Sequence, residues 1–282
     1  MNKVTLKAKG KINLLLDVTA KRENGYHDIA TIMQSVSLAD VITVEKRTDG
    51  KIVIDSEFNH IVKPEDNICY KAIMLMKEEF KIEDGFSVKI KKHIPMAGGM
   101  GGGSTDAAAV MKAVNQLSHL NLSTEKLMET GLSLGADVPF CIFEKCALAH
   151  GVGEELKEIT GLSGVKLAIV NPMISVSTKT VYELVDEKCE LGKIDENKAV
   201  EALKEGKMEE YPFVLKNIMQ SVTEEICPQI KEIIKGLKEL GAVHAMMSGS
   251  GATCFGIFND DIDENALKNC FKDYFVAVAE PM

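Results

Sequence analysis

The chain has 282 residues, 45% of them hydrophobic and 27% charged, with a formal net charge of -9. That length suits two domains of roughly 120–160 residues better than one core. The acidic balance argues against nucleic acid as a partner, because binding a phosphate backbone needs a basic face, so any anion site must be built locally from gathered donors.

In chain order, VTLKAKGKINLLLDVTAK alternates in the manner of strands, with Val4, Leu6 and Ala8, then Ile12, Leu14 and Leu16. Glu23-Asn24-Gly25 supplies a turn, since Asn-Gly takes positive φ readily. VITVEKRTDGKIVID predicts a hairpin closed at Asp49-Gly50. Asp66 is expected to cap a helix running to about Phe80, with Ile68, Ala72, Leu75, Met76 and Phe80 at helical spacing. FSVKIKKHI reads as a strand that leads into PMAGGMGGGSTD, and AAAVMKAVNQL beyond it as a helix. Ser123 or Thr124 caps the next helix, expected to end near Gly135, and a β-like segment follows around Phe140–Ala149. After the acidic turn GVGEEL comes a strand, VKLAIVNP, then three or four helices, strand VHAMM, loop SGSG, strand ATCFGIF, a helix and a terminal strand. The mixture predicts α+β, with domains at 1–161 and 162–282.

The seven cysteines are scattered without a C-x-x-C, mostly within apolar runs, and read as small buried hydrophobes in a reducing compartment. The six histidines show no metal-ligand spacing, so no protein-chelated zinc is expected. Residues 1–30 lack the apolar segment of a signal peptide, and no apolar run reaches membrane-spanning length. The expectation is a cytoplasmic protein with no membrane partner, working as a monomer or weak homodimer.

The order strand, glycine stretch, helix is the arrangement in which backbone N–H groups converge on an anion. Five glycines between Gly98 and Gly103 remove the Cβ atoms that would block close approach, and Ser104 and Thr105 add hydroxyls for a phosphate oxygen or Mg2+. A flexible linker is the blander alternative, but linkers rarely join a strand to an alanine-rich helix. G-x-x-x-x-G-K-[ST] nearly fits Gly98–Thr105 except for Ser104 at the lysine position, and G-x-G-x-x-G fails from both Gly99 and Gly101. The cation must come from elsewhere.

PMAGGMGGGSTDAA resembles the phosphate loop of the galactokinase–homoserine kinase–mevalonate kinase–phosphomevalonate kinase (GHMP) superfamily. AKGKINLLLDV at 8–18, GYHDI at 25–29, LGADVPF at 134–140 and MSGSGATCFGIF at 247–258 are similar, in the same order, to the 4-diphosphocytidyl-2-C-methyl-D-erythritol kinases within it. HGVGE at 150–154 is a further family-like segment without an independent chemical role. Gly10 ahead of Lys11, Ala97 in place of glycine and Met100 in place of leucine depart from the pattern without removing a polar group. The resemblance implies a ribosomal-S5-domain-2-like N-terminal domain, a ferredoxin-like C-terminal domain and an active site in the cleft between them. It implies ATP-dependent phosphorylation of the 2-hydroxyl of a cytidine diphosphate ester of methylerythritol, a step of non-mevalonate isoprenoid synthesis.

Under that resemblance the triphosphate lies on Pro95, Met96, Ala97, Gly98, Gly99, Met100, Gly101, Gly102, Gly103, Ser104 and Thr105. Lys11 and Asp137 are the catalytic pair: Lys11 keeps the carboxylate ionised, and Asp137 either takes the hydroxyl proton or orients it. Asn13, on the same strand face as Lys11, is placed to hydrogen-bond the acceptor alcohol. Tyr26 and Tyr182 stack the cytosine, His27 reads its edge, and Gly249, Ser250 and Gly251 face the diphosphate. Mg2+ arrives with ATP rather than in a carboxylate cage. Taken alone, Tyr26 and Tyr182 read equally as packing residues, and Asp137 as a helix cap. The rival readings are a sister kinase acting on homoserine, mevalonate or a sugar, and a nucleotide-binding protein without catalysis. GYH and Tyr182 speak against the first, and Lys11 with Asp137 against the second.

Overall fold

A computed structural model describes residues 2–57 and 63–282. Its contacts divide the chain into two units that do not follow linear order. The first comprises the described residues within Met1–Gly10, Ala39–Ile94 and Gly101–Glu144, and the second comprises Lys11–Leu38, Pro95–Met100 and Lys145–Met282.

In the first unit, β2 (His27–Arg47) contributes residues 41–47, which pair antiparallel with β4 (Gly85–Lys91). β4 also pairs in parallel with β3 (Ile52–Ser56), giving the order β3-β4-β2. The hairpin expected at Asp49-Gly50 is therefore not formed: the turn is present, with Gly50 at φ 70°, but β4 inserts between the two runs. The physical reason is visible on β4, where Phe86 and Val88 are fully buried and take a central place. Among its described residues the α-helices are α1 (Ile68–Phe80), α2 (Gly102–Leu117), α3 (Thr124–Gly131) and α4 (Val138–Phe143). Ile73, Met76, Val110, Met111 and Val114 from α1 and α2 share one core with Val44, Phe86 and Val88 of the sheet.

Two boundaries differ from expectation. α1 is capped by Asn67, whose side chain accepts from the Cys69 N–H at 2.9 Å, while Asp66 closes a 3-10 turn that begins at Pro64. Proline at the head of that turn starts it early and hands the cap to the next short polar residue. α4 occupies Val138–Phe143, so the expected β-like run is a strand only at β5 (Ala147–His150). Ser123 caps α3 as expected, accepting from Lys126 N–H.

In the second unit, residues 31–33 of β2 pair with β5, which pairs in turn with β6 (Glu155–Glu158), a strand hidden in sequence by its polar character. A four-stranded antiparallel sheet follows the order β10-β7-β9-β8, from β7 (Lys166–Asn171), β8 (His244–Met247), β9 (Cys254–Phe258) and β10 (Phe275–Ala279). Between β7 and β8 run five helices rather than three or four: α5 (Thr178–Lys188), α6 (Glu196–Glu205), α7 (Tyr211–Val214), α8 (Ile218–Ile226) and α9 (Gln229–Glu239). α10 (Glu264–Cys270) precedes the last strand. Strand β1 (Lys3–Lys21) gives Leu16 and Val18 to the core of this unit, beside Val170, Val181, Val222 and Ile233. Among the described residues no helix is long and apolar enough to cross a membrane.

Candidate active site

The second unit gathers a polar cluster around β1. Lys11 is only 4% exposed, and burying an ammonium is costly unless acceptors hold it. Its Nζ donates to Asn13 Oδ1 at 2.7 Å, and its backbone N–H donates to the Met100 carbonyl at 3.0 Å. Alternation along the strand puts Lys11 and Asn13 on the same face, which is why the pair can meet. Asn13 Nδ2 donates to Thr31 Oγ1 at 2.8 Å, and the Thr31 hydroxyl donates in turn to the Leu15 carbonyl at 2.6 Å. Asn13, expected at the acceptor alcohol, thus has its side-chain oxygen on Lys11 and its side-chain nitrogen on Thr31. The Asn13 backbone N–H donates to Ser248 Oγ at 3.2 Å, and Ser248 donates to the Gly99 carbonyl at 3.0 Å.

Those contacts tie the two glycine-rich stretches together within this unit. Thr253 N–H donates to the Gly98 carbonyl at 3.2 Å, and a Cβ on Gly99 would stand 2.2 Å from the Ser248 carbonyl oxygen. Gly99 also sits at φ 77°, where a side chain would be strained even with space available. Part of the room left by the first stretch is therefore occupied by the second. The SGSG turn is fixed from beneath by Asn217, whose Nδ2 donates to the Met247 and Gly249 carbonyls at 3.0 and 2.8 Å. Ser250 Oγ meets Thr178 Oγ1 at 2.8 Å.

The first unit holds the other half of the glycine stretch and Asp137. Gly101 caps α2 in the left-handed region at φ 67°, and the first helical hydrogen bond runs from Thr105 N–H to the Gly101 carbonyl. The N–H groups of Gly102, Gly103 and Ser104 precede that bond, as the first turn of any helix leaves them, and carry the positive end of its dipole. Thr105 is buried and its hydroxyl donates to the Lys9 carbonyl at 2.7 Å, so it anchors the turn. Ser104 is only half-buried. Asp137 stands at the N-cap position of α4, yet its side chain makes no capping bond. Pro139 at the second helical position has no N–H to donate to it.

A third cluster, again in the second unit, surrounds His27. Its ring stacks on Tyr182 with centroids 4.5 Å apart and planes 18° apart, and Nε2 lies 2.8 Å from Asp186 Oδ1. Asp186 Oδ2 accepts from Lys21 Nζ at 2.5 Å. Tyr26 is 64% exposed, its ring outside this stack. Asp186 lies one helical turn beyond Tyr182 on α5, a four-residue spacing that could have singled it out in the sequence. Ser248 and Thr31 carry no such signal, since a hydroxyl beside glycine or within a strand has no distinctive pattern. Among the described residues no group of three or more His, Cys, Asp and Glu is arranged to hold a metal ion.

The family model of the GHMP kinases N terminal domain matches residues 67–145, and that of the GHMP kinases C terminal matches residues 197–277. The 4-diphosphocytidyl-2-C-methyl-D-erythritol kinase of Alkaliphilus metalliredigens is 42% identical over 264 residues, covering 92% of this chain and 89% of the relative. The kinase of the same name from Lachnoclostridium phytofermentans is 41% identical over 278 residues, covering 98% and 94%. A crystal structure of 4-(cytidine 5'-diphospho)-2C-methyl-D-erythritol kinase matches with a TM-score of 0.82 at 29% identity, over 98% of this chain and 99% of that one. Homoserine kinase from Cytophaga hutchinsonii matches with a TM-score of 0.77 at 16% identity, over 100% and 95%, and shares the fold. This α+β chain belongs to the GHMP kinases, ATP-using phosphotransferases, and within them to the 4-diphosphocytidyl-2-C-methyl-D-erythritol kinase family.

Proposed function

We propose that this protein transfers the γ-phosphoryl group of ATP to the 2-hydroxyl of 4-diphosphocytidyl-2-C-methyl-D-erythritol, in the non-mevalonate route to isoprenoids. The observation that carries the reading is the buried Lys11 ammonium, aimed by Asn13 and bonded through its own backbone to Met100 of the glycine stretch. Phosphoryl transfer through a loose transition state asks mainly for position and charge, and a desolvated cation beside a glycine loop supplies both. In this reading the first turn of α2 receives the donor phosphates, Lys11 offsets the charge that gathers as the bond breaks, and Asp137 orients the acceptor hydroxyl and takes its proton late. His27, Tyr182 and Tyr26 recognise the cytosine, and Gly249, Ser250 and Gly251 face its diphosphate.

Mg2+ accompanies the nucleotide. The donor set fits this mode, since the first turn of α2 offers the Ser104 hydroxyl and, among the described residues, no group of three or more His, Cys, Asp and Glu is arranged to cage the ion. When bound, the ion neutralises phosphate charge.

The test is a coupled ADP-release assay over the cytidine diphosphate ester, homoserine, mevalonate and galactose, with CMP as competitor. Turnover should be confined to the ester and inhibited by CMP; preference for any of the others would overturn the acceptor. Asp137→Asn should lower kcat by about a hundred-fold or more while an ATP analogue still binds. Turnover near the wild-type value would remove Asp137 from the chemistry.

A further inference from the structure

The first unit contains a buried ionic cluster that the reaction scheme above does not use. Lys92, at the exit of β4, is 11% exposed at its side chain, Asp40 on β2 is 0% and Asp106 in the first turns of α2 is 7%. Lys92 Nζ donates to Asp40 Oδ2, to Asp106 Oδ2 at 2.8 Å, and weakly to the Gly102 carbonyl at 3.5 Å. All three ammonium protons are thereby committed. The other oxygen of Asp40 accepts the backbone N–H groups of His93 at 2.5 Å and Ile94 at 2.8 Å.

The contacts join the two ends of one loop. Lys92, His93 and Ile94 are the last residues before the glycine stretch, and Gly102 and Asp106 are among the first of the helix after it. A run with five glycines in six positions loses more backbone freedom on ordering than any other, so fixing its ends removes much of the search. A simpler cluster would serve stability better, because two carboxylates share one ammonium, and Asp106 Oδ1 lies buried without a hydrogen-bond partner among the described residues. Burial pushes the Asp106 carboxyl up to about 7 against the pull of Lys92. An arrangement this costly points to a role in geometry.

We propose that Lys92, Asp40 and Asp106 form a clamp across the ends of the glycine stretch, holding the first turn of α2 in the orientation that receives the donor phosphates. They are positioning residues: the clamp acts through Gly101–Ser104 and touches no substrate. The proposal rests on the phosphate-loop reading given above.

The experiment compares Asp106→Ala, which removes the oxygen that Lys92 holds, with Asp106→Asn, which keeps an oxygen there. Three measurements apply to each folded variant: affinity for a non-hydrolysable ATP analogue by calorimetry, amide hydrogen exchange over residues 95–106, and separate KM values for ATP and acceptor. Asp106→Ala should weaken analogue binding and raise the KM for ATP by about ten-fold, as a misplaced binding turn does. Exchange over 95–106 should quicken, the acceptor KM should stay within about two-fold, and Asp106→Asn should restore most of the loss. Should Asp106→Ala fail to fold, Asp106→Ser, too short to reach Lys92, carries the same expectation. Wild-type analogue affinity in a folded Ala or Ser variant would overturn the clamp. So would equal losses for ATP and acceptor, or an Asn variant as impaired as the Ala one. If the wild type bound no ATP analogue, the phosphate-loop reading itself would fall, and the exchange measurement alone would judge whether the clamp orders the loop.

Discussion

His244 on β8 is buried, and among the described residues neither ring nitrogen makes a hydrogen bond of ordinary geometry. Burial lowers its pKa to about 4, helped by the charge of Lys238 and opposed by the Leu215 backbone, from the ordinary 6.5. The folded value lies below the unfolded one, so the unfolded chain binds the proton more readily. The contribution of the neutral ring is therefore fully present above about 6.5 and is lost as pH falls towards 4. A shift of that size is worth about 3 kcal/mol at most. Urea denaturation at pH 7 and pH 4.5 should show a stability loss that His244→Leu lacks, whatever the absolute stability of the variant; an identical loss in both proteins would refute the assignment. Histidine in VHAMM gives no hint of this in sequence, because its flanks read equally as an edge or a centre of a sheet. Lys11 was legible for the opposite reason: a lysine among apolar neighbours at the head of INLLL has to be held by something.

At the scale of elements, α5 presents Tyr182 and Asp186 one turn apart, and both reach His27. A carboxylate on Nε2 fixes how the ring faces, and in the proposed function the other face of the ring system is what meets the cytosine. Asp186→Ala should therefore raise the KM for the cytidine-bearing acceptor by about ten-fold, the worth of one charge-assisted hydrogen bond, with the KM for ATP unchanged. Initial rates with each substrate varied in turn decide it: an equal rise for ATP would mean that Asp186 only supports the fold. Strands and helices whose apolar period is strong, such as β7, β9 and α1, were readable as elements, whereas their partners were not. β2 and β3 carry the signal of a hairpin in every local respect, and the insertion of β4 between them follows from where Phe86 and Val88 find a core. Likewise the glycine stretch stood out in the sequence, but its seating against Ser248 depends on a segment about 150 residues away, which no local spacing encodes.

For the molecule as a whole, the division of contacts bears on what can be cut apart. A boundary at residues 161 and 162 is natural along the sequence, yet the second unit draws on Lys11–Leu38 and Lys145–Met282 together. Within it, Leu16 N–H donates to the Lys216 carbonyl at 2.8 Å, Gly192 N–H to the Val18 carbonyl at 2.9 Å, and Ser37 N–H to the Glu280 carbonyl at 2.8 Å. Ile194 N–H donates to Asp17 Oδ2 at 2.9 Å, the Asn13 N–H reaches Ser248, and Leu16 and Val18 are part of the core that surrounds Val170 and Met219. A fragment of residues 162–282 would lose all of these and expose an apolar face where each missing side chain had contributed about 1.5–3 kcal/mol of burial. It should keep helical far-ultraviolet dichroism, bind an apolar dye and melt without a cooperative transition, as a chain does when secondary structure survives without fixed packing. Adding residues 11–38 back as a separate peptide should sharpen the melt, because the strand restores both the backbone bonds and the buried Leu16 and Val18. A cooperative melt in the fragment alone, close to that of the full chain, would show that the β10-β7-β9-β8 sheet and its helices carry their own core, and that the β1 segment adds only chemistry.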